Sequence, residues 1–252
     1  MNDSPMMAYF GHHKCGSVSI CAIVEAVCAK CGLTVARHAN PSEFGDDIRQ
    51  FRAAHPFDFW CFTNADIHVV AQTQVHGFHV VRDPRDVVVS GYFSHRNSHP
   101  TSAWPKLIEF RERLRSVTKE EGLLLEMDFV SDLFEQMLQW QEIPGVREVK
   151  FEELIRSPAE MFIELLSPLM PASELMIRQV VDEYSFVNLS GGRRPGEEDV
   201  NHHFRKGVPG DWRNHFTPAH LDRFKALYNP LLVKLGYETD DSWAAVAPER
   251  LR

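Results

Sequence analysis

The chain has 252 residues, of which 44% are hydrophobic, and no Gly-, Ser- or Pro-rich linker or charge block divides it, so one domain over residues 1–252 is expected. The formal net charge of −8 argues against a nucleic-acid partner, because nucleic-acid binders usually carry a basic surplus. No apolar run is long enough to span a bilayer, and Met1–Pro5 lacks the order of a signal peptide. These features predict a cytoplasmic protein without membrane attachment.

The cysteines do not indicate a disulfide framework. Five are present, and four of them lie between Cys15 and Cys31, in or beside one predicted helix. Residues 28–31 have CxxC spacing, but no second pair or ligand cluster accompanies them. Buried helix cysteines and the absence of a bound metal are therefore expected.

The first part of the chain alternates strands and helices. The apolar patterns predict strands at 6–10, 33–36, 57–63 and 76–81, and helices at 17–31, 42–54, 67–72 and 85–96. Ser42 is the expected N-cap of the second helix, and Asp66 follows a strand end and precedes the third. Repeated strand–helix units imply an α/β fold in which helices flank a central parallel sheet.

The remainder is mainly helical. Apolar spacing predicts helices at 104–117, 123–140, 159–169 and 172–183, with one more strand at 146–151. The glycines, charges and proline between Leu189 and His203 predict a long loop.

The loop after the first strand has the layout of a phosphate site. Lys14 lies between Gly11 and Gly16, and the N-terminus of the next helix would direct its free N–H groups at an anion. Ser17 and Ser19 could add hydroxyl donors. The two glycines have Walker A spacing, but the Lys-Ser/Thr pair that should follow the second glycine is missing, which argues against an ordinary ATP or GTP site. A solvated loop lysine is the alternative.

Two further stretches place cations where a phosphate could bind. Arg82 follows the strand at 76–81, and the carboxyl ends of parallel strands are where ligands bind in such sheets. Arg205 and Lys206 lie beside Gly207, and side chains and backbone N–H groups there could together surround a dianion.

These three stretches resemble the sulfotransferase family that uses 3′-phosphoadenosine 5′-phosphosulfate (PAPS) as donor. Residues 13–19 are similar to the family's PKSGTTW loop, and residues 82–90 to its RNPKDVAVS strand and helix. Residues 205–217 match its RKGxxGDWKNxFT segment almost throughout. The resemblance implies the P-loop-like sulfotransferase fold.

The resemblance also implies a donor site with two anionic ends and no metal. The 5′-phosphosulfate would be held by Lys14, Cys15, Gly16, Ser17, Val18 and Ser19. The 3′-phosphate would be held by Arg82, Ser90, Arg205, Lys206 and Gly207. Lys14 would be catalytic, because a cation near the bridging oxygen stabilises the charge that grows there as the sulfuryl group leaves. The alternative for Arg82 is a salt bridge to Asp83 or Asp86.

Several positions depart from the family pattern. The tryptophan that stacks on adenine is Ser19 here, and the second threonine of the loop is Val18. The tyrosine of the family's YEDL element is Phe151, which would bind the donor through its aromatic face but lacks the hydroxyl. Residues 184–186 resemble the adenine-side T-S-F element, so Phe186 is the candidate aromatic partner for the base, with core packing as the alternative. Trp212 is expected to be structural.

The general base is not fixed by the sequence. Where the cytosolic members have a KTHLP histidine, this chain reads TNADIH over residues 63–68. Asp66 and His68 could accept a proton, while a helix cap and a surface histidine are their alternative roles. The reserve candidates are His12, His13, His95 and His99.

The function implied is transfer of the sulfuryl group of PAPS to a hydroxyl or amine of a small-molecule acceptor, leaving PAP. The alternatives are a PAP-binding protein without turnover and an ATP-dependent P-loop phosphotransferase. In cytosolic members a KxxxTVxxxE element pairs two subunits, and residues 213–222 take its place here. Pro218 replaces the valine and removes a backbone donor, so a monomer or weak homodimer is expected.

Overall fold

The computed structural model of the chain describes residues 5–45, 47–102 and 104–243. The signal-peptide prediction falls on Met1–Ser4 and so lies outside the described residues. Within the described ranges, no helix combines the length and the apolar character that crossing a lipid bilayer requires.

Within the described chain there are five strands and twelve α-helices. The strands are β1 (Met6–Phe10), β2 (Val35–His38), β3 (Phe59–Phe62), β4 (Val75–Val81) and β5 (Val146–Lys150). The helices are α1 (Ser17–Lys30), α2 (Ile48–Ala54), α3 (Ile67–Val70), α4 (Pro84–Phe93), α5 (Lys106–Ser116), α6 (Lys119–Phe129), α7 (Ser131–Gln139), α8 (Phe151–Arg156), α9 (Pro158–Leu166), α10 (Glu174–Glu183), α11 (Phe186–Leu189) and α12 (Pro218–Lys234). A π-helical turn, Ser94–Ser98, follows α4, and 3₁₀ turns lie at Pro41–Glu43 and Asp211–Asn214.

The chain divides into two compact units. The first is built from Met1–Arg82 and Gln139–Asn188, and the second from Asp83–Leu138 and Leu189–Arg252. The expectation of one domain over residues 1–252 stays a prediction.

The first unit contains the whole sheet. Its strand order is β2-β3-β1-β4-β5, and every neighbouring pair is parallel. Because β1 lies in the centre, its residue Tyr9 pairs with Cys61 on one side and Phe78 on the other. The predicted α/β fold with a parallel sheet is confirmed, and the loop that follows β1 starts from the middle of the sheet.

Alternate residues of the central strands point to opposite faces, and each face has its own core. Tyr9 and Phe78 lie in a cluster with buried residues of α1, α9 and α10. Phe10 and Trp60 lie in a second cluster with buried residues around α2 and α3. A fully buried side chain of this size contributes about 1.5–3 kcal/mol, so helices are expected to cover both faces, as they do.

The second unit is helical. Phe134 of α7 packs edge-on against Tyr228 of α12, with ring centroids 4.8 Å apart. The π-helical turn after α4 places His95 against Glu126 of α6, and both side chains are fully buried, with His95 Nδ1 2.8 Å from Glu126 Oε1. Buried polar side chains are tolerated when they are hydrogen-bonded to each other in this way.

Several predicted boundaries were wrong. The helix predicted over 42–54 is a 3₁₀ turn followed by α2, which Asp47 caps through the N–H groups of Arg49 and Gln50. Asp47 is therefore the cap and Ser42 is not. The helix predicted over 123–140 is two helices that meet at Val130, because the backbone turns there (φ −92°, ψ 10°) while the apolar spacing continues through the break. The predicted strand at 33–36 begins two residues later.

Three helices, α8, α11 and α12, were not predicted. Phe151 begins α8 and does not extend the strand, and residues 218–234 form α12, the longest helix of the described chain. Pro218 is the first residue of α12, where a missing N–H costs nothing, and His220 completes a capping box with Thr217. The segment compared with a pairing element is therefore a 3₁₀ turn and a helix start.

Candidate functional site

The loop after β1 is fixed to the first unit by backbone hydrogen bonds. The N–H of Gly11 donates to the carbonyl of Phe62 (3.0 Å), and its carbonyl accepts from the N–H of Ala65 (2.9 Å). The N–H of Cys15 donates to the His12 carbonyl at 3.0 Å, which closes the turn. The loop shape is therefore set before any ligand is bound.

Lys14 lies at the apex of this turn in a left-handed conformation, with φ +64°. It is the only non-glycine residue of the described chain with a positive φ. Its carbonyl accepts from Arg82 Nη1 at 2.9 Å, and this contact holds the peptide in place. Backbone strain of this kind is often maintained at functional sites by the surrounding structure.

Gly16 is required for two reasons. Its φ is +85°, where a side chain is strained, and a Cβ there would lie 2.4 Å from Cε2 of Phe151. The ring of Phe151 therefore lies directly against the backbone at the N-terminus of α1. A face of the same ring meets the guanidinium of Arg82, 5.1 Å from the ring centroid. Lys14, Gly16, Arg82 and Phe151 are thus brought together.

Of the other predicted loop residues, the two serines have protein partners, Cys15 is buried and Val18 is exposed. Ser17 Oγ donates to the His12 carbonyl (3.3 Å), and Ser19 Oγ donates to the Gly16 carbonyl (3.1 Å), so both hydroxyls stabilise the turn. Cys15 is buried, and burial raises the pKa of its thiol to about 12. Val18 is 41% exposed at the start of α1. An anion at this loop would therefore be bound by backbone N–H groups and by the lysine rather than by hydroxyls.

One N–H of the Arg82 guanidinium makes no hydrogen bond in the described structure. Its Nε is buried and has no hydrogen-bond partner among the described residues. A buried, unsatisfied N–H of a cation is costly unless something binds it, so this atom is a candidate donor to a bound anion. The carboxylates of Asp83 and Asp86 accept from Arg85 and from backbone N–H groups of the second unit, and the role of Arg82 at the donor site stays a prediction.

In the second unit, Asp86 of α4 fixes the segment that carries Arg205 and Lys206. One carboxylate oxygen accepts from the N–H of Gly210 (2.6 Å) and the other from the N–H of Trp212 (2.9 Å). Trp212 is buried, and the guanidinium of Arg85 lies 4.1 Å from its ring centroid, which fits the structural role expected of it.

Asp211 holds both cations of that segment. Its oxygens accept from Lys206 Nζ and Arg205 Nη2, each at 2.5 Å, and from Asn214 and His215. Burial alone would raise the pKa of Asp211, but the hydrogen bonds from His215, Lys206, Asn214 and Arg205 outweigh it and hold the pKa far below its ordinary value. The carboxylate is therefore ionised at any physiological pH.

The Asp211 contacts position the two cations but leave donors available. Another N–H of Arg205 donates to the carboxylate of Glu198, and the Arg205 guanidinium lies 4.6 Å from the Phe93 ring centroid. A guanidinium carries five N–H donors and an ammonium three, so both side chains can still bind an anion. Gly207, exposed and at φ +69°, follows them. Ser90 is half-buried within α4.

The loop before this segment was predicted correctly and is tied to it. The guanidinium of Arg193 donates to the carbonyls of Phe204 and Arg205, and the N–H of Asp199 donates to the Arg205 carbonyl at 2.9 Å. The supporting roles of Asp86, Asp211 and Arg193 were missed from sequence. A signal was present for Asp211, since an acid sits five and six residues from the two cations.

The candidate base residues occupy one element of the first unit. Asp66 Oδ1 accepts from the N–H of His68 at 2.8 Å, so its carboxylate caps α3, and the side chain of His68 is exposed. Asp66 is thus a helix cap and His68 an exposed histidine, which are the alternative roles considered for them. The assignment of either residue as base stays a prediction. Phe186 begins α11 and is half-buried.

One group of metal-type ligands occurs in the second unit. Single ligand atoms of Glu198, Asp211 and His215 lie within 4.8 Å of one another. Arg205 and Lys206 already bind the carboxylate of Asp211, so a metal ion there would have to share it with two cations. This group is better described as the scaffold of the cation pair.

A model of the sulfotransferase domain matches residues 70–236, about two thirds of the chain. The chain belongs to the sulfotransferase domain family. The match contains Arg82–Ser90 and residues 205–217, whereas the Lys14 loop precedes it. The family assignment therefore rests on the second and third motifs.

Curated relatives include two enzymes from Cavia porcellus. A 3-alpha-hydroxysteroid sulfotransferase is 26% identical over 169 residues, covering 59% of this chain and 53% of that protein. A 3-beta-hydroxysteroid sulfotransferase is 28% identical over 160 residues, with the same coverage. The chain thus spans about half the length of the curated relatives it matches.

Among solved structures, the mouse sulfotransferase SULT7A1 complexed with PAP is similar. The TM-score is 0.60 at 19% identity, and the similarity covers 90% of this chain and 84% of that one. At this identity the likeness shows the fold, and the predicted sulfotransferase fold is confirmed.

Proposed function

We propose that this member of the sulfotransferase family transfers the sulfuryl group of PAPS to a hydroxyl or amine of a small-molecule acceptor and releases PAP. Family membership, relatives named as steroid sulfotransferases and a similar fold solved with PAP support the proposal. It is favoured over the ATP-dependent phosphotransferase.

One observation carries the proposal. Arg205 and Lys206 lie in the family-matched region, and Asp211 holds both in position while leaving donors free. Two adjacent cations and a glycine N–H suit a phosphate dianion. PAPS carries such a group at its 3′ position and ATP does not, so an ATP enzyme would have no use for this pair.

The resemblance assigns the 5′ end of the donor to the Lys14 loop. Lys14 would stabilise the negative charge that develops on the bridging oxygen as the sulfuryl group leaves, an interaction stronger in the transition state than in the ground state. The N–H groups at the N-terminus of α1 would add donors for its anionic oxygens. The resemblance assigns Arg82 to the 3′-phosphate, for which its unsatisfied Nε would be a donor. Phe186 would contact the adenine.

The acceptor must lose a proton, and Asp66 and His68 are the first candidates for the base, with His12, His13, His95 and His99 in reserve. Asp66→Asn keeps an oxygen that can cap α3, so it should retain the fold while turnover falls roughly a hundredfold. If Asp66→Asn stays active and His68→Ala loses activity at unchanged stability, His68 is the base.

The proposal extends to the setting of the protein. We infer a cytoplasmic enzyme that needs no metal, binds no nucleic acid or membrane, and is a monomer or weak homodimer. All five cysteines have free thiols, which suits a reducing compartment.

The donor is tested by thermal unfolding of the chain with PAP, ADP or ATP at equal concentrations. PAP should raise the melting temperature far more than ADP or ATP, because the 3′-phosphate adds charge-assisted hydrogen bonds. Arg205→Ala should remove most of the difference between PAP and ADP. An equal shift with PAP and ADP in the unaltered chain would contradict the proposal.

Turnover is tested separately with isotopically labelled PAPS and a panel of small hydroxyl and amine acceptors, read by mass spectrometry. A sulfated product supports transfer. PAP binding without any product across the panel would favour the alternative of a PAP-binding protein without turnover.

A further inference from the structure

Three titratable side chains of the first unit form a hydrogen-bonded chain that ends in the loop after β1. His12 Nε2 lies 2.9 Å from His79 Nε2, and His79 Nδ1 lies 3.1 Å from Glu148 Oε2. Both imidazoles are fully buried, whereas the Glu148 side chain is 47% exposed. The chain therefore runs from the protein surface to an interior nitrogen of His12.

The hydrogen-bond partners assign a tautomer to each ring. A carboxylate that is nearly half exposed is ionised at neutral pH, so Glu148 accepts and His79 Nδ1 carries the proton. The Nε2 of a neutral His79 is then an acceptor, and His12 must donate to it from its own Nε2. The remaining nitrogen, His12 Nδ1, is left as a bare lone pair.

That lone pair accepts no hydrogen bond in the described structure. His12 Nδ1 is buried and has no hydrogen-bond partner among the described residues. Buried polar atoms are nearly always satisfied, so an exception at the first residue of a phosphate loop needs a physical reason. Burial, reinforced by the neighbouring His79, lowers the pKa of His12 well below its ordinary value, which keeps the ring neutral and leaves the Nδ1 lone pair unprotonated.

The chain is also held rigidly. The indole of Trp140 stacks on His79, with ring centroids 3.9 Å apart and an angle of 22° between the planes. The backbone of His12 is fixed at the same time, because its carbonyl accepts from Cys15 and Ser17. A carboxylate that orients a histidine is the arrangement that prepares a general base, and here Glu148 orients His12 indirectly, through His79.

We propose that His12 is a proton acceptor for the sulfuryl transfer and that His79 and Glu148 are its positioning residues. This inference rests on the proposed function. The acceptor's O–H or N–H bond breaks, its oxygen or nitrogen bonds to sulfur as the bond from sulfur to PAP breaks, and His12 Nδ1 takes the proton. The Nε2 proton of His12 passes to His79 Nε2, so the positive charge rests on His79 beside the Glu148 carboxylate. After product release the transfers reverse and Nδ1 gives its proton to water.

The tautomers can be measured without any turnover. Nitrogen-15 NMR of the histidine rings in the full chain, with and without PAP, should show His79 protonated at Nδ1 and His12 protonated at Nε2 only. Glu148→Gln should disturb this pattern, because an amide can also donate to His79. Glu164→Gln, a change at an exposed carboxylate paired with Arg147, is the matched control and should leave the pattern unchanged. The opposite tautomer at His12 would overturn the proposal.

The catalytic role is tested with a variant that removes only the proposed nitrogen. His12→Gln keeps an N–H near the position of Nε2, so it can still donate to His79, but it has no counterpart of Nδ1. Its kcat should fall roughly a hundredfold while its donor KM and PAP affinity stay within about twofold. Glu148→Gln should lower kcat about tenfold or more, and Glu164→Gln should not change it.

The outcomes distinguish a proton relay from a purely structural pair of histidines. Normal kcat in His12→Gln overturns the proposal, as does a parallel loss of PAP affinity, thermal stability and kcat, which would indicate a structural pair. Loss of kcat in Asp66→Asn but not in His12→Gln assigns the base to Asp66. If the unaltered chain binds PAP but transfers nothing, the proposed function fails, and the NMR spectra still decide the tautomers.

Discussion

Lys14 is the residue whose predicted role is most sharply testable. Its conformation and its carbonyl contact with Arg82 are set by the backbone, so its side chain can be removed with little change to the loop. Lys14→Ala should lower turnover by orders of magnitude and PAP affinity much less, because the charge it stabilises develops only in the transition state. Steady-state kinetics and PAP titration would measure the two effects.

Arg82→Ala provides the contrast for that experiment. Arg82 contacts the loop and keeps an unsatisfied Nε, so its loss should weaken donor binding strongly. Sulfate transfer at the normal rate by Lys14→Ala would show that the lysine has been assigned wrongly.

Substitution of Gly16 tests the close contact between the loop backbone and the Phe151 ring. Gly16→Ala must place a Cβ 2.4 Å from the Phe151 ring at a positive φ, whereas Gly32→Ala meets the same backbone strain, at φ +72°, with no atom within 4 Å. Gly32→Ala should cost about 1 kcal/mol of unfolding free energy and Gly16→Ala clearly more. Urea unfolding measures both. Equal losses of unfolding free energy in the two variants would mean that the Phe151 ring can move aside at little cost.

At the scale of elements, the segment from Arg205 to Asn214 depends on buried acids rather than on regular secondary structure. Asp86 fixes its backbone and Asp211 fixes its cations. The motif at residues 205–217 could be recognised in the sequence. Its hydrogen bonds to Asp86 could not, because Asp86 lies more than a hundred residues away along the chain.

Asp211 gives the segment a pH dependence. Its pKa is lower in the folded chain than the unfolded value of about 3.9, so its contribution to stability is present above that value and is lost as the pH falls toward the folded pKa. Asp211→Asn should lose about 3 kcal/mol at pH 7 through its unpaired cations. The difference from the unaltered chain should shrink below about pH 4.

Urea unfolding at pH 7 and at pH 3, followed by tryptophan fluorescence, measures that difference. Asp222→Asn, at an exposed acid on α12, is the control and should change stability little at either pH. If the difference in unfolding free energy between Asp211→Asn and the unaltered chain stays constant on acidification, Asp211 is not the titrating group.

At the scale of the whole molecule, the prediction of a monomer or weak homodimer concerns the segment after Trp212. Residues 211–214 form a 3₁₀ turn and Pro218 begins α12, so the segment does not present an extended strand to a second copy. Sedimentation from nanomolar to micromolar concentration should show a monomer or a weakly associating dimer. A tight dimer that persists at nanomolar concentration and is broken by changes in residues 213–217 would contradict this.

The sequence by itself determined the fold class and the family, because both depend on local patterns. Alternating apolar runs place strands and helices, and the motifs at residues 82–90 and 205–217 are contiguous stretches of chain. Boundaries were less predictable where a cap or a backbone turn decided them, as at Asp47 and Val130, because the apolar periodicity does not change there.

Only the tertiary structure decided which side chains meet. It placed Phe151 under Gly16, the cations of residues 205 and 206 on Asp211, and His12 against His79. Pairing across a parallel sheet joins residues far apart in the chain, and hydrogen bonds depend on distances of a few tenths of an ångström. Neither is encoded in local spacing, so the sequence could nominate His12 among several histidines but could not show that one of its nitrogens is left without a partner in the described structure.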